Sequence, residues 1–140
     1  SSANLYVINE LNSSISVYNI LSDTVTVKQT VSTLPQDYSE KNYCADLHLS
    51  RSGKKIYGSN RGHNSIVTCR VGADGKLSVP SHRSCGGNWP RNFAVSPSGK
   101  FFLVANQRSN EISVLREGDN SNEAVSNLTL NAPSCVSFLK

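Results

Sequence analysis

Short apolar runs alternate with turn chemistry along the whole chain. Phe93 to Val95 leads into Ser96-Pro97-Ser98-Gly99-Lys100, Phe101 to Ala105 leads into a polar turn over Gln107 to Asn110, and Ile112 to Leu115 follows. Runs this short, rich in Val, Ile and Phe and bounded by Gly, Pro, Ser and Asn, predict antiparallel strands. The phrase occurs earlier over Asp46 to Cys69, with Ser50-Arg51-Ser52-Gly53-Lys54 in the turn, and in part over Leu5 to Tyr18. Asn9, Asn60 and Asn106 are equivalent positions, spaced 51 and then 46 residues apart. A repeat of this length built from short strands predicts the blades of a β-propeller.

Between the repeats, Val25 to Val31 alternates apolar and polar residues, the pattern of a half-exposed outer strand. Leu77 to Arg83 reads as a weak outer strand because Pro80 lies within it. Leu128 and Leu130 mark a last outer strand. Ser32 to Tyr43 has no clear period and is a candidate rim or lid. Cys135 to Leu139 resembles the start of another unit, with Pro133 matching Pro90.

With blade strands named a to d from the axis outward, the chain reads b-c-d, a-b-c-d, a-b-c-d, a. The expected divisions are a first partial blade over 1–34, full blades over 44–84 and 90–131, and a clasp strand over 133–140. The fold class is therefore all-β: a propeller fragment of about three four-stranded antiparallel blades. At roughly 40–50 residues per blade, 140 residues are too few for a closed ring. The sequence holds no Met, so the expectation is a chain that starts inside a longer precursor or after processing.

Composition narrows the function classes. Apolar residues make up 37% and charged residues 17%, which predicts a folded chain. No apolar run approaches the roughly 18 residues of a membrane span. The net charge is +4, but the basic residues are scattered. That pattern fits a solvated basic surface or an anionic small-molecule ligand better than nucleic acid. Cys44, Cys69, Cys85 and Cys135 lack zinc-site spacing. They read as free thiols in a cytoplasmic chain, or as two disulfides in a secreted one.

Strand direction alternates within a blade, so the end of strand b and the start of strand a share a face. Glu10, Arg61 and Gln107 each follow a repeated Asn, and Asp46, His48, Arg91 and Asn92 lie at or near starts of strand a. A carboxylate, two guanidinium groups, an imidazole and amides thus collect near the axis. The bland readings are an Asn that pins a turn, a His48 that satisfies a carbonyl, and arginines in salt bridges. Glu10 is the most informative, because its position is Arg in the next unit and Gln in the one after.

Three phrases are similar to the lactonase family of seven-bladed propellers. They are Tyr6-Val7-Ile8-Asn9-Glu10-Leu11, His48-Leu49-Ser50 through Asn60-Arg61-Gly62-His63, and Pro90-Arg91-Asn92-Phe93 through Ala105-Asn106-Gln107. That family includes 6-phosphogluconolactonases and the carboxy-cis,cis-muconate cyclases. The resemblance corresponds to the C-terminal part of a longer member. It implies functional roles for Glu10, Arg61, His48 and Arg91; the expected site is then Glu10, Arg61 and His48 as catalytic residues and Arg91, Asn92, Gln107 and His63 as substrate-binding residues, with no metal or cofactor expected. The implied activity is hydrolysis of a sugar-acid lactone such as 6-phosphogluconolactone. Implied partners are an anionic lactone and either an N-terminal half-propeller chain or a second copy. The alternative is a non-catalytic binding or scaffold subunit. The usual Ser-Pro-Asp-Gly turn is replaced by Ser50-Arg51-Ser52-Gly53, on the face away from these groups.

Overall fold

A computed structural model describes residues 2–119 and 121–139. Among these described residues, eleven strands form three antiparallel sheets. The first sheet holds β1 (Ser2–Asn9), β2 (Ser14–Leu21) and β3 (Thr24–Ser32) in that order. The second holds β4 (Tyr43–Leu49), β5 (Lys55–Arg61), β6 (Ser65–Arg70) and β7 (Ser81–Ser84). The third holds β8 (Pro90–Val95), β9 (Phe101–Asn106), β10 (Glu111–Arg116) and β11 (Ser126–Thr129). Each sheet is a meander, and β4 and β8 are the inner strands.

The alternation of apolar residues explains how the sheets stack. Ile15, Val17, Ile56, Val67, Cys69 and Leu77 form one buried cluster, which joins the first and second sheets. Tyr57, Ile66, Cys85, Phe93, Phe102, Val104 and Leu115 form another, joining the second and third. The second sheet is therefore buried on both sides. Its β5 runs nearly without exposure from Ile56 to Arg61, as expected for a strand buried on both faces. Tyr57 and Phe93 each meet Phe102 edge to face, at 4.8 and 6.0 Å.

The β4–β5 and β8–β9 turns are built alike. Gly53 and Gly99 sit at φ 69° and 72°, and their amides donate to the Ser50 and Ser96 carbonyls. Positive φ at this place in the turn favours glycine. The outer strand of the second sheet differs from expectation. Only Ser81–Ser84 pairs with β6, while Leu77 makes an isolated bridge to Val71. Pro80 has no N–H to give the ladder, so pairing begins after it. In β3 the ladder slips opposite Val17 and Tyr18, and this bulge shifts the alternation that Val25 and Val27 begin.

The segment 133–139, expected as a clasp strand, forms no strand among the described residues, and Lys140 lies outside them. Its position is nonetheless that of an inner strand. The Val136 amide donates to Asn92 Oδ1 at 2.7 Å, as the Phe93 amide donates to Asp46 Oδ2 at 3.0 Å.

The repeated asparagines tie the blades together. Asn60 Nδ2 donates to the Thr33 carbonyl at 2.8 Å and Ser65 Oγ at 3.1 Å. Asn106 Nδ2 donates to the Cys85 carbonyl at 3.1 Å and Ser113 Oγ at 3.0 Å. Each amide thus ties the next strand to the connection arriving from the preceding blade. Both side chains are fully buried. Replacing Asn106 with Ala should cost about 2–4 kcal/mol, since two hydrogen bonds are lost and a buried carbonyl loses a donor. Urea unfolding checks this; a loss below about 0.5 kcal/mol would show that the amide is not a structural pin.

Candidate functional site

A cavity of about 550 Å³ opens at the inner end of the sheets. Glu10, Asp46, Arg61, Arg91 and Asn92 supply its polar lining, with Ile8, Cys44, Ala45 and Ser134 between them. Local structure explains each position. Asn9 Nδ2 bonds Ser14 Oγ and Ser16 Oγ at 3.0 and 2.9 Å, which closes the turn that carries Glu10. Arg61 is the last residue of β5, and Gly62 follows at φ 122°. A Cβ at Gly62 would collide with the Lys41 carbonyl oxygen, so only glycine lets the turn pass under the long loop.

Arg61 and Glu10 pair at 2.6 Å from Nη2 to Oε1. The Arg61 side chain is only 9% exposed, whereas that of Glu10 is 56% exposed. The guanidinium is therefore the fixed member. Its Nη2 also donates to the Cys44 carbonyl at 2.9 Å, and its Nε donates to the Tyr43 carbonyl at 3.3 Å. Among the described residues, Nη1 of Arg61 and Oε2 of Glu10 have no hydrogen-bond partner. Arg91 is exposed and adds a second guanidinium to the same lining.

Asp46 is the best-satisfied group of the site. Its Oδ2 accepts from Asn92 Nδ2 at 2.6 Å, the Phe93 amide at 3.0 Å and His48 Nε2 at 3.0 Å. Its Oδ1 accepts from the Leu47 amide at 2.9 Å. Burial by itself raises the pKa of this carboxyl. The His48 hydrogen bond and charge, with the Phe93 and Leu47 amides, outweigh burial and hold it below the ordinary carboxylate range.

The expected site residues divide. Glu10, Arg61, Arg91 and Asn92 line one cavity. His48 does not line it. Its ring packs edge-on against Phe93 at 4.8 Å, and it borders a separate groove with Leu49, Val95, Val136 and Phe138. It reaches the cavity only through Asp46. Gln107 is also absent from the lining; its backbone amide holds the Trp89 carbonyl at 3.1 Å. His63 lines a second cavity of about 470 Å³ with His82 and Arg83. There its Nδ1 meets Ser65 Oγ at 2.7 Å and its ring meets Tyr38 and His82. Burial, then the neighbouring His82, lowers the His63 pKa, with Asp37 opposing.

Two further contributors lie outside the expected set. Asp46 belongs to the polar group at the strand starts, but its central role needs the register of β4 against β8. Trp89 borders Arg61 and Arg108 at 5.6 and 3.3 Å from its ring centre; its signal in sequence is that it is the sole tryptophan, next to Pro90-Arg91. All four cysteines are free, three of them buried. Burial pushes Cys69 and Cys85 up to about 11. Among the described residues no group of three or more His, Cys, Asp or Glu is placed to hold a metal ion.

Repeated antiparallel sheets, stacked face to face with a polar cavity at their inner strands, define part of a β-propeller. The sequence matches the family described as "Lactonase, 7-bladed beta-propeller" over residues 1–138, and the chain belongs to that family. A 6-phosphogluconolactonase of Formosa agariphila is 41% identical over 117 residues, covering 79% of this chain and 32% of that protein. A 6-phosphogluconolactonase of Bacillus subtilis is 30% identical over 141 residues, covering 96% and 40%. Among solved structures, a protein from Lactobacillus plantarum superposes with a TM-score of 0.89 at 29% identity, covering 98% of this chain and 42% of that one. The periplasmic gluconolactonase of Pseudomonas aeruginosa gives 0.84 at 32% identity, covering 92% and 37%. The chain thus spans 32–40% of the length of these two curated relatives.

The lowered pKa of Asp46 makes its contribution to stability pH-dependent. That contribution is complete above the unfolded-state value of about 3.9 and is lost as pH falls through the lower folded value. Asp46→Asn should therefore be less stable than the parent at pH 7, with the gap narrowing as pH falls below about 4. Thermal unfolding across that range measures it; a gap independent of pH would refute the assignment.

Proposed function

We propose that the cavity binds an anionic sugar-acid lactone, with 6-phosphogluconolactone as the best match, and that the chain hydrolyses it within a propeller completed by another chain. The observation that carries this reading is the pairing of one unspent Glu10 oxygen with guanidinium donors from Arg61 and Arg91 in a single cavity. The volume falls in the usual range for small-molecule sites, about 300–1,000 Å³. The 6-phosphogluconolactonases among the relatives support the substrate class.

In this reading, water is held against Glu10 Oε2 and attacks the lactone carbonyl. Glu10 takes the proton as general base. Arg61 Nη1 and Arg91 face the negative charge of the substrate and of the developing oxyanion. As the ring C–O bond breaks, the departing oxygen recovers the proton from Glu10, so the single product is the open-chain hydroxy acid and Glu10 is returned to its carboxylate. His48 touches no substrate here. It steadies Asp46, which in turn holds Asn92.

A second reading, a non-catalytic binding or scaffold subunit, is favoured by the open edge of β1. That strand pairs only with β2, and Leu5 and Val7 are 42% and 36% exposed. An unpaired edge of this kind is a template for another strand. An N-terminal half-propeller chain, or a second copy, fits that edge, and the proposed compartment is the cytoplasm.

Lactone turnover together with native mass separates the two readings. Turnover that falls about 100-fold or more in Glu10→Gln supports hydrolysis. A large assembly with no turnover selects the scaffold reading, and turnover unchanged in Glu10→Gln excludes the proposed base.

Assembly can be tested separately. Removing 133–140 should convert the assembled species into aggregates, because the groove beside His48 and Val95 loses its covering segment. A soluble monomer after that deletion would show that the segment does not hold the assembly together.

A further inference from the structure

We infer that Trp89 is the positioning residue for Arg61: its indole holds the guanidinium so that Nη1 faces the cavity as the anion-recognition donor. The inference rests on the anion-site reading above.

Arg61 spends Nε and Nη2 on the Tyr43 and Cys44 carbonyls and on Glu10. Those bonds fix one edge of the guanidinium. The Trp89 ring lies 5.6 Å from its central carbon, within the reach of a cation–π contact. Tyr43, whose carbonyl holds Nε, also meets Trp89, at 6.0 Å between ring centres. The arginine is thus confined by one indole as well as by carbonyls, and the indole is itself backed by Tyr43. Only Nη1 lacks a partner among the described residues, and the residue lines the cavity.

The placement of Trp89 is itself specified. It stands at φ 66°, in a region where a bulky residue is uncommon. Its amide donates to Asn64 Oδ1 at 2.9 Å, and its carbonyl accepts from the Gln107 amide at 3.1 Å. Arg108, the residue after Gln107, lies 3.3 Å from the indole centre. Residues from the β5–β6 and β9–β10 turns therefore hold one indole beside one arginine. A strained backbone retained by contacts from two blades points to a side chain whose position matters.

Trp89→Gly and Trp89→Phe make the test. Glycine removes the ring while suiting the positive φ, and phenylalanine keeps an aromatic face. The first readout needs no ligand: hydrogen exchange and chemical shift of the Arg61 Nε–H by nuclear magnetic resonance. The expected result is slow exchange and a ring-current shift in the parent, both lost in Trp89→Gly, with slow exchange retained in Trp89→Phe. The second readout is binding of 6-phosphogluconate, the product of the proposed reaction, by calorimetry. The sole tryptophan also reports binding by fluorescence. Trp89→Gly should bind about tenfold more weakly, and should have no further effect in an Arg61→Gln background. Unchanged Arg61 exchange in Trp89→Gly, or an equal loss of affinity with and without Arg61, overturns the inference. Loss of Arg61 protection in Trp89→Gly, with a parent that binds no 6-phosphogluconate, keeps the positioning role and overturns the substrate reading instead.

Discussion

The Asp46 carboxylate takes hydrogen bonds from Leu47, His48, Asn92 and Phe93, and so joins the inner strands of two successive sheets. Apolar packing alone would leave neighbouring blades free to slide, since dispersion has little direction. A carboxylate with fixed acceptor geometry sets how far β8 stands along β4. One step further round the axis, Asn92 does the same for Val136. Asn92 can do so only because Asp46 has claimed its amide hydrogens, which leaves the oxygen to face the Val136 amide. The orientation of one side chain therefore passes from blade to blade. The cavity inherits its shape from this relay, because Asp46, Asn92 and Ser134 are all in its wall.

Asn60 and Asn106 act at the same end of the blades but in the interior. Each satisfies a carbonyl in the connection between blades, where a buried acceptor needs a donor; the Thr33 carbonyl takes a second bond from His82 Nε2 at 2.9 Å. Their surroundings differ. Asn60 Oδ1 accepts from Asn42 and Cys44, whereas Asn106 Oδ1 is buried without a partner among the described residues. The second sheet is thus more fully tied than the third. Arg61, the residue that must be held most firmly, follows the better-satisfied asparagine.

Much of the architecture was legible in the sequence. The turns at Gly53 and Gly99 and the Asn at the end of each second strand recur at near-constant spacing, and repetition makes weak strand signals strong. The grouping of Glu10, Arg61, Arg91 and Asn92 followed from strand direction alone. The misplacements share a cause. Alternation says which side of its own strand His48 takes, but not which of two spaces beside Asp46 that side faces. That depends on the register shift between Cys44 and Leu47. Gln107 and His63 lie just past strand ends, where the turn rather than the strand sets direction. Pairing of 133–139 needs an edge that is not part of its own unit, so its sequence resemblance to β8 could predict its place but not its ladder.

The turn position that reads Glu10, Arg61 and Gln107 shows how a repeat makes a site from equivalent places. Identical residues would give each blade the same surface. Here a carboxylate from one blade meets a guanidinium from the next across 2.6 Å, and each fixes the other. The third member contributes backbone instead, anchoring Trp89, whose ring borders Arg61. Two of the equivalent positions thus act on the arginine at the other, one by an ion pair and one through Trp89. The asymmetry gives the cavity a different group from each sheet, with Glu10 from the first, Asp46 and Arg61 from the second and Arg91 and Asn92 from the third. Arg61 is buried enough to lose its freedom yet keeps one amino group unspent, the condition under which a guanidinium recognises an anion with little further ordering cost.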